Sequence, residues 1–517
     1  MSKSDHKILK QIVRGAGIIF LGTFFAYFAN FLYKLIIARY LGPADYGLIS
    51  LGQTILNFAL VLAVCGLNSG VIHYVAYFRG QKAFAKVKGT FYSALKISMF
   101  AGILLSVLLI ILSGFISENI FHTPKFQPIL IVFALVLPFH VFLRLLGALF
   151  LALKKAEYRE LTRTVAKNVL NLVLVSILIF FGRGVFDISL AFLVAVFASA
   201  LLGFLLYRYK LFPKFFAKKK LPVYNYRMLL SFSVPLLFVG FFFNMVGWSD
   251  NFFIGYFGSP ADVGVYNAAF LLAAAMGMFM SSFGLIFYPI SSELLARKKN
   301  VKISKTFNAI LRWIFLVLLP IFLLLLFFPR SILQILYGKE YAVAAPALMI
   351  VSCAFFFNVL TGPGIRILQS FKKIRFIFVV NLFVFLLNLF LNLILIPLWG
   401  IIGAAIATAI SMILRELILF LKAKSLINFS FQYLVYVKCI LSGLISLGLL
   451  LHFSDLFKKP YSLIEFLLFL LFFGCVYLFI LIIFKFFNKH DILILSAIKR
   501  KLGLNSTFLN KFINKFL

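Results

Sequence analysis

The sequence predicts an all-α polytopic membrane protein with about fourteen transmembrane helices. Three observations carry this expectation. Mean hydropathy is +1.08, apolar runs long enough to cross a bilayer recur along the chain, and basic residues gather in every second connection. With 63% hydrophobic and 13% charged residues over 517 positions, a water-soluble surface is excluded. Lipid offers no partner to exposed backbone groups, so each crossing is helical and needs about 20 apolar residues.

In chain order the apolar runs cover 15–38, 46–67, 89–113, 128–152, 163–181, 187–208, 231–256, 263–287, 306–328, 346–370, 376–397, 400–421, 432–452 and 462–487. The first is too long and aromatic for a cleaved signal peptide and reads as an uncleaved span. With the N-terminus inside, basic clusters at Lys3–Arg14, Arg79–Lys88, Lys154–Lys167, Arg208–Arg227, Arg297–Lys305, Lys372–Arg375, Lys422–Lys424 and Lys485–Lys515 share one side. They hold 37 basic residues, against 7 in the alternate loops. The positive-inside rule then expects both termini to be cytoplasmic, in a cell (inner) membrane.

The same distribution removes the nucleic-acid reading of a +37 net charge, because a basic nucleic-acid domain would be contiguous and polar. Outer loops are short, the longest being 329–345, so an outer catalytic domain is excluded. Lys7–Arg14 and the tail after Asp491 mix apolar and basic residues and suit interfacial helices, with a solvated tail as the alternative for the last ten residues. Cys65, Cys353, Cys439 and Cys475 lie in apolar runs without CxxC spacing, and the six histidines lack ligand spacing, so no metal or cofactor is expected.

The segment from Arg39 to Leu48 (RYLGPADYGL) returns as Gly255 to Val265 (GYFGSPADVGV), at an offset of 216 residues before a one-residue insertion and 217 after it. In each copy a span ends in a Gly/Pro turn, and Asp45 or Asp262 stands where it can cap the next span. Asn171 pairs with Asn388, and Gly184-Val185-Phe186 with Gly400-Ile401-Ile402, near the same offset. Six spans per copy means both copies enter from one side, a parallel repeat about an axis along the membrane normal. The expected parts are a basic N-terminal segment (1–14), a first lobe (15–215), a second lobe (216–424), two added helices (425–487) and a basic tail (488–517).

The opening Arg14-Gly15-Ala16-Gly17, the Ala38–Pro43 turn followed by Asp45-Tyr46-Gly47, and Asp250…Ile254–Phe257…Val263–Tyr266 resemble the polysaccharide biosynthesis, O-antigen flippase family over about Ile12 to Lys424. That family shares a superfamily with multidrug and toxic-compound extrusion transporters and lipid II flippases. The resemblance implies two six-helix lobes facing a central cavity, plus two helices. It also implies alternating access that moves a polyprenyl-pyrophosphate-linked oligosaccharide from the inner to the outer leaflet for cell-surface polysaccharide assembly. The lipid-linked oligosaccharide and the bilayer would be its partners, alongside other membrane proteins of polysaccharide assembly.

Charges inside a bilayer tend to face a cavity or a partner. Arg144 and Arg366 are the candidates for pyrophosphate, which a guanidinium meets with paired donors. Asn57 and Asn244, with Asn251 and Asn358, are candidates for the glycan, although such amides commonly join helices. For Arg366 and Arg415 the ordinary reading is snorkelling to headgroups. Lys34 and Asp250 each stand five residues before the repeated turn, so the offset predicts an ion pair across the outer mouth; two unrelated residues is the plainer alternative. Pro138, Pro235, Pro320 and Pro363 mark expected bends.

A cation-coupled multidrug-type antiporter would need buried carboxylates, and only Asp250 lies well within a run, with Glu416 and Glu465 near run ends. An integral-membrane glycan-processing enzyme would need a carboxylate or metal cluster near water, whereas Glu118, Asp187, Glu340 and Asp455 are isolated. No GxxxxGK[ST] loop is present. The expectation is a transporter, not an enzyme.

Overall fold

The computed structural model describes residues 3–216, 221–277, 300–427, 433–453 and 463–484, with single positions between 291 and 297 and at 486, and side chains from Phe28 onward apart from a few positions inside helices. The predicted N-terminal basic side chains, much of the eighth run and the tail beyond 486 lie outside the described residues. Every regular element among the described residues is helical.

Helix α1 (Lys3–Val64) holds the first two predicted runs and breaks at Gly42, whose φ of 77° suits glycine. Pro43 follows, where a missing N–H costs least. Lys34 and Thr54 line one cavity, although a straight helix would hold them about 30 Å apart, so the two arms of α1 fold back on each other. After Cys65 and Gly66, both at positive φ, α2 (Leu67–Gly80) extends the second run.

Helices α3 (Phe84–Ile111), α4 (Phe126–Ala152), α5 (Ala156–Phe180) and α6 (Val185–Leu206) complete the first half. The second half contains α7 (Tyr226–Phe257), α8 (Pro260–Ala274), α9 (Asn300–Phe327), α10 (Ala345–Thr361), α11 (Pro363–Ser370) and α12 (Ile374–Leu426). α12 breaks at Gly400, with φ of 53°. A Cβ on Gly403 would lie 2.0 Å from the Leu395 carbonyl oxygen, a contact that requires the chain to reverse. Helices α13 (Tyr433–Phe453) and α14 (Leu463–Ile483) are the added pair.

Among the described residues nine helices are long and apolar enough to cross a membrane, and α1 and α12 are each folded back within that number. The protein is a multi-pass membrane protein. Exposed Phe100 and Ile111 on α3, Phe390 on α12 and Leu471 on α14 supply a lipid-facing surface. Pro138, Pro235 and Pro320 lie inside helices, and Pro363 opens α11 directly after the turn at Gly362 that ends α10.

The repeated turns close what the charge distribution predicts to be the outer end. A Cβ on Gly47 would lie 1.6 Å from the Pro260 carbonyl oxygen, and one on Gly264 would lie 2.0 Å from that of Pro43. α8 starts with a capping box: Ser259 accepts from the Asp262 N–H at 3.3 Å, and Asp262 Oδ2 accepts from the Ser259 N–H at 2.9 Å. Arg39 donates to the Ile335 carbonyl at 2.5 Å, and the Tyr341 hydroxyl to the Ala38 carbonyl at 2.7 Å. At the opposite end α2 approaches α7, where a Cβ on Gly66 would lie 2.2 Å from the Ser233 carbonyl oxygen.

Candidate functional site

Between these contacts lies a cavity of about 390 Å³ lined from both halves of the chain. The break in α1 brings Lys34 on its first arm beside Gln53, Thr54 and Asn57 on its second, and α7 faces them with Asn244 and Asn251. Asn267 of α8, Asn358 of α10 and Arg415 of α12 complete a wall rich in amides. Among the described residues none that lines it is acidic. Asn251 Nδ2 reaches Thr54 Oγ1 at 3.1 Å, a hydrogen bond across the two halves.

A second chamber of about 210 Å³ lies between the α1/α2 junction, α4 and α7, and Asn244 lines both spaces. Arg144 points into it, and its buried Nε has no hydrogen-bond partner. Lys167 of α5 stands close enough to Arg163, Arg144 and Lys34 for their charges to repel one another. Lys34 lines the cavity and Arg144 the adjoining chamber, so an anion placed there meets positive charge from the first half.

Asp250 faces elsewhere. Its carboxylate accepts from the Tyr266 hydroxyl at 2.7 Å, from Asn392 Nδ2 at 2.8 Å and from the Thr408 hydroxyl, with Asn388 Nδ2 at 3.5 Å. Among the described residues no ion pair joins it to Lys34. The pairing that the offset predicts is therefore not formed in this structure. The offset identifies equivalent positions, but a buried carboxylate that already holds several donors from its own half gains little by turning outward. Asn392 Oδ1 is left without a partner. The cluster offers one negative charge and several hard oxygens, a set that can hold a proton or one monovalent cation.

Arg415 is corrected. It is 6% exposed rather than snorkelling, pairs with Glu416 and donates Nε to Asn381 Oδ1 at 2.7 Å. Glu416 accepts further bonds from Asn358 at 3.0 Å and Thr361 at 3.4 Å. Arg366, on α11, donates to Gln369 at 3.1 Å and lines neither the cavity nor the chamber.

This bundle is similar to solved transporter structures. Lipid II flippase MurJ in an inward closed conformation superposes with a TM-score of 0.68 at 18% identity, covering 90% of this chain and 98% of that one. An inward-facing multidrug resistance MATE family transporter of the MOP superfamily gives 0.64 at 14% identity, covering 78% and 94%. These likenesses establish the fold. The family described as polysaccharide biosynthesis protein matches residues 36–346, more than half of the chain. The chain belongs to that family.

The family described as lipid II flippase MurJ matches residues 250–472. An uncharacterized membrane protein of Methanocaldococcus jannaschii is 23% identical over 463 residues, 86% of this chain and 90% of its own length. A protein of Haloferax volcanii described as a probable low-salt glycan biosynthesis flippase is 27% identical over 237 residues, 45% of this chain and 48% of its own length.

Of the residues singled out in this member of the polysaccharide biosynthesis family, Lys34, Asn57 and Asn244 share the cavity, Arg144 adjoins it, and Arg366 and Asp250 do not line it. Arg163 and Lys167 were counted with an inner basic loop. The signal available was their position: Lys167 lies four residues inside the fifth apolar run.

Proposed function

We propose that this protein is a lipid-linked oligosaccharide flippase, carrying a glycan attached through pyrophosphate to a polyprenyl lipid from the inner to the outer leaflet by alternating access. The single observation that carries the reading is the cavity itself: among the described residues, Lys34, Arg415 and six amide side chains line it and no carboxylate does. Cations suit the pyrophosphate, and amides suit sugar hydroxyls through both donors and acceptors. Membership of the polysaccharide biosynthesis family and similarity to a glycan flippase support it.

In this reading Arg144 and its chamber receive the pyrophosphate first, Asn244 stands at the passage, and Asn57 with its neighbours meets the glycan. The chain is divided into two lobes at about 215, both termini are cytoplasmic, and the α1/α8 contact at Gly47 and Gly264 keeps the outer mouth shut while the cargo loads. Tags at Ser2 and Leu517 should then resist external protease in intact cells.

A second reading, a cation-coupled drug antiporter, is favoured by the Asp250 cluster alone. The absence of acids from the described cavity lining argues against a cationic cargo, and the cluster serves equally as the coupling site of a flippase. Binding by the purified protein separates the two: inorganic pyrophosphate and polyprenyl pyrophosphate should bind, and a lipophilic cationic dye should not. Binding of the dye without the pyrophosphates would favour the antiporter.

A further inference from the structure

Beside the polar cavity lies an apolar crevice of about 440 Å³, lined by Ile55, Phe58, Phe121, Phe252, Phe385 and Leu389 among others. Among the described lining residues Ser249 alone is polar, and its hydroxyl lies 2.8 Å from both the Val246 carbonyl oxygen and Asn388 Oδ1. Among the described residues the crevice therefore offers no uncommitted polar side chain. Crevice and cavity share walls: on α7, Met245, Ser249 and Phe252 face the crevice, while Asn244, Trp248 and Asn251 face the cavity. On the second arm of α1, Ile55 and Phe58 face the crevice, while Thr54 and Asn57 face the cavity. Both helices are thus split lengthwise by side-chain direction. The edge-to-face pair of Phe58 and Trp248, with ring centroids 5.5 Å apart, stands between the two spaces.

We propose that the crevice holds the prenyl chain of the same molecule whose pyrophosphate and glycan occupy the cavity. This rests on the flippase reading. A water-soluble cargo would need only the polar space. A membrane phospholipid seated in the crevice would bring a headgroup for which the crevice has no polar contact, whereas a chain joined to the cavity's occupant has its polar end placed already. The two spaces together match an amphiphile, with the pair of Phe58 and Trp248 at the junction of head and chain.

The test uses the full-length protein in phosphatidylcholine nanodiscs. Leu389→Trp fills the crevice, and Phe390→Trp, at a position 60% exposed on the lipid face, is its control. Polyprenyl pyrophosphate should bind wild type more tightly than inorganic pyrophosphate. Leu389→Trp should weaken prenyl binding by about tenfold and leave inorganic pyrophosphate within about twofold, with Phe390→Trp unchanged. In wild type, a diazirine on the prenyl chain should label Phe58, Phe252 or Phe385, and polyprenyl pyrophosphate should displace it where excess phosphatidylcholine does not. Labelling elsewhere, unchanged affinity in Leu389→Trp, or equal displacement by phosphatidylcholine would overturn the crevice assignment and leave the flippase reading standing. Failure of wild type to bind either pyrophosphate would overturn the flippase reading itself.

Discussion

Gly47 and Gly264 occupy equivalent places in the two copies of the repeat, and each rests against the carbonyl of the proline that opens the other copy's turn, so closely that neither has room for a Cβ. The contact is reciprocal because the repeat is: Pro43 and Pro260 are related by the offset of 217 that also relates the glycines. Close approach through glycine is how helices pack where no hydrophobic effect draws them together.

A side chain at either glycine should hold the outer end open. In a background without Cys65, Cys353, Cys439 and Cys475, spin labels at the exposed Tyr40 and Tyr256 report the separation. Gly47→Val and Gly264→Val should each lengthen the distance by several ångströms, whereas Arg39→Ala, which removes only hydrogen bonds, should shift it less. An unchanged distance in both glycine variants would show that the contact does not set the closed state.

Arg144 and Arg366 should separate. Charge-assisted hydrogen bonds are worth about 1.5–3 kcal/mol, so Arg144→Gln should weaken pyrophosphate binding by about tenfold or more, with partial recovery in Arg144→Lys. Arg366→Gln should stay within about twofold, since its side chain lines neither space. Equal losses in the two Gln variants, measured by calorimetric titration, would contradict the assignment of the chamber.

Arg415 and Glu416 should behave as one unit. Removing one partner of a buried ion pair costs about 3–5 kcal/mol because the other charge is stranded, while replacing both can be nearly neutral. Arg415→Met and Glu416→Leu should each lower thermal stability in detergent, and the double variant should lie closer to wild type than either single one. Additive losses would mean that the side chains act independently.

The fold was legible in sequence wherever apolarity or the repeat signalled it, and less so where amphipathicity did. α2 was missed because His73, Tyr74, Tyr77 and Arg79 dilute its hydropathy, although Leu67, Val71, Val75 and Phe78 form a buried stripe. Lys34, Asn57 and Asn244, which line the cavity, stand out because polar residues in a membrane span need a reason, although the repeat assigns Lys34 to an outer gate. Asp250 has other neighbours in this structure than the offset suggests: sequence offset fixes its depth, but the direction of its carboxylate depends on Tyr266, Asn392 and Thr408, which come together only in three dimensions.

That cluster makes its own prediction. If Asp250 with the free Asn392 oxygen holds a proton or a monovalent cation, adding sodium or lowering pH should raise the thermal unfolding midpoint of wild type, because a ligand of the folded state stabilises it. Asp250→Asn should lose that response. The same midpoint shift in wild type and variant would remove the cluster from any coupling role.

The most direct measurement of the central claim is net transport in sealed proteoliposomes, with a lipid-linked oligosaccharide placed in one leaflet and its glycan detected at the other face by a membrane-impermeant lectin. The account predicts protein-dependent appearance of the glycan, reduced about tenfold by Arg144→Gln and abolished by Gly47→Val. Appearance at the rate of protein-free vesicles, or accumulation of a cationic drug in its place, would contradict it.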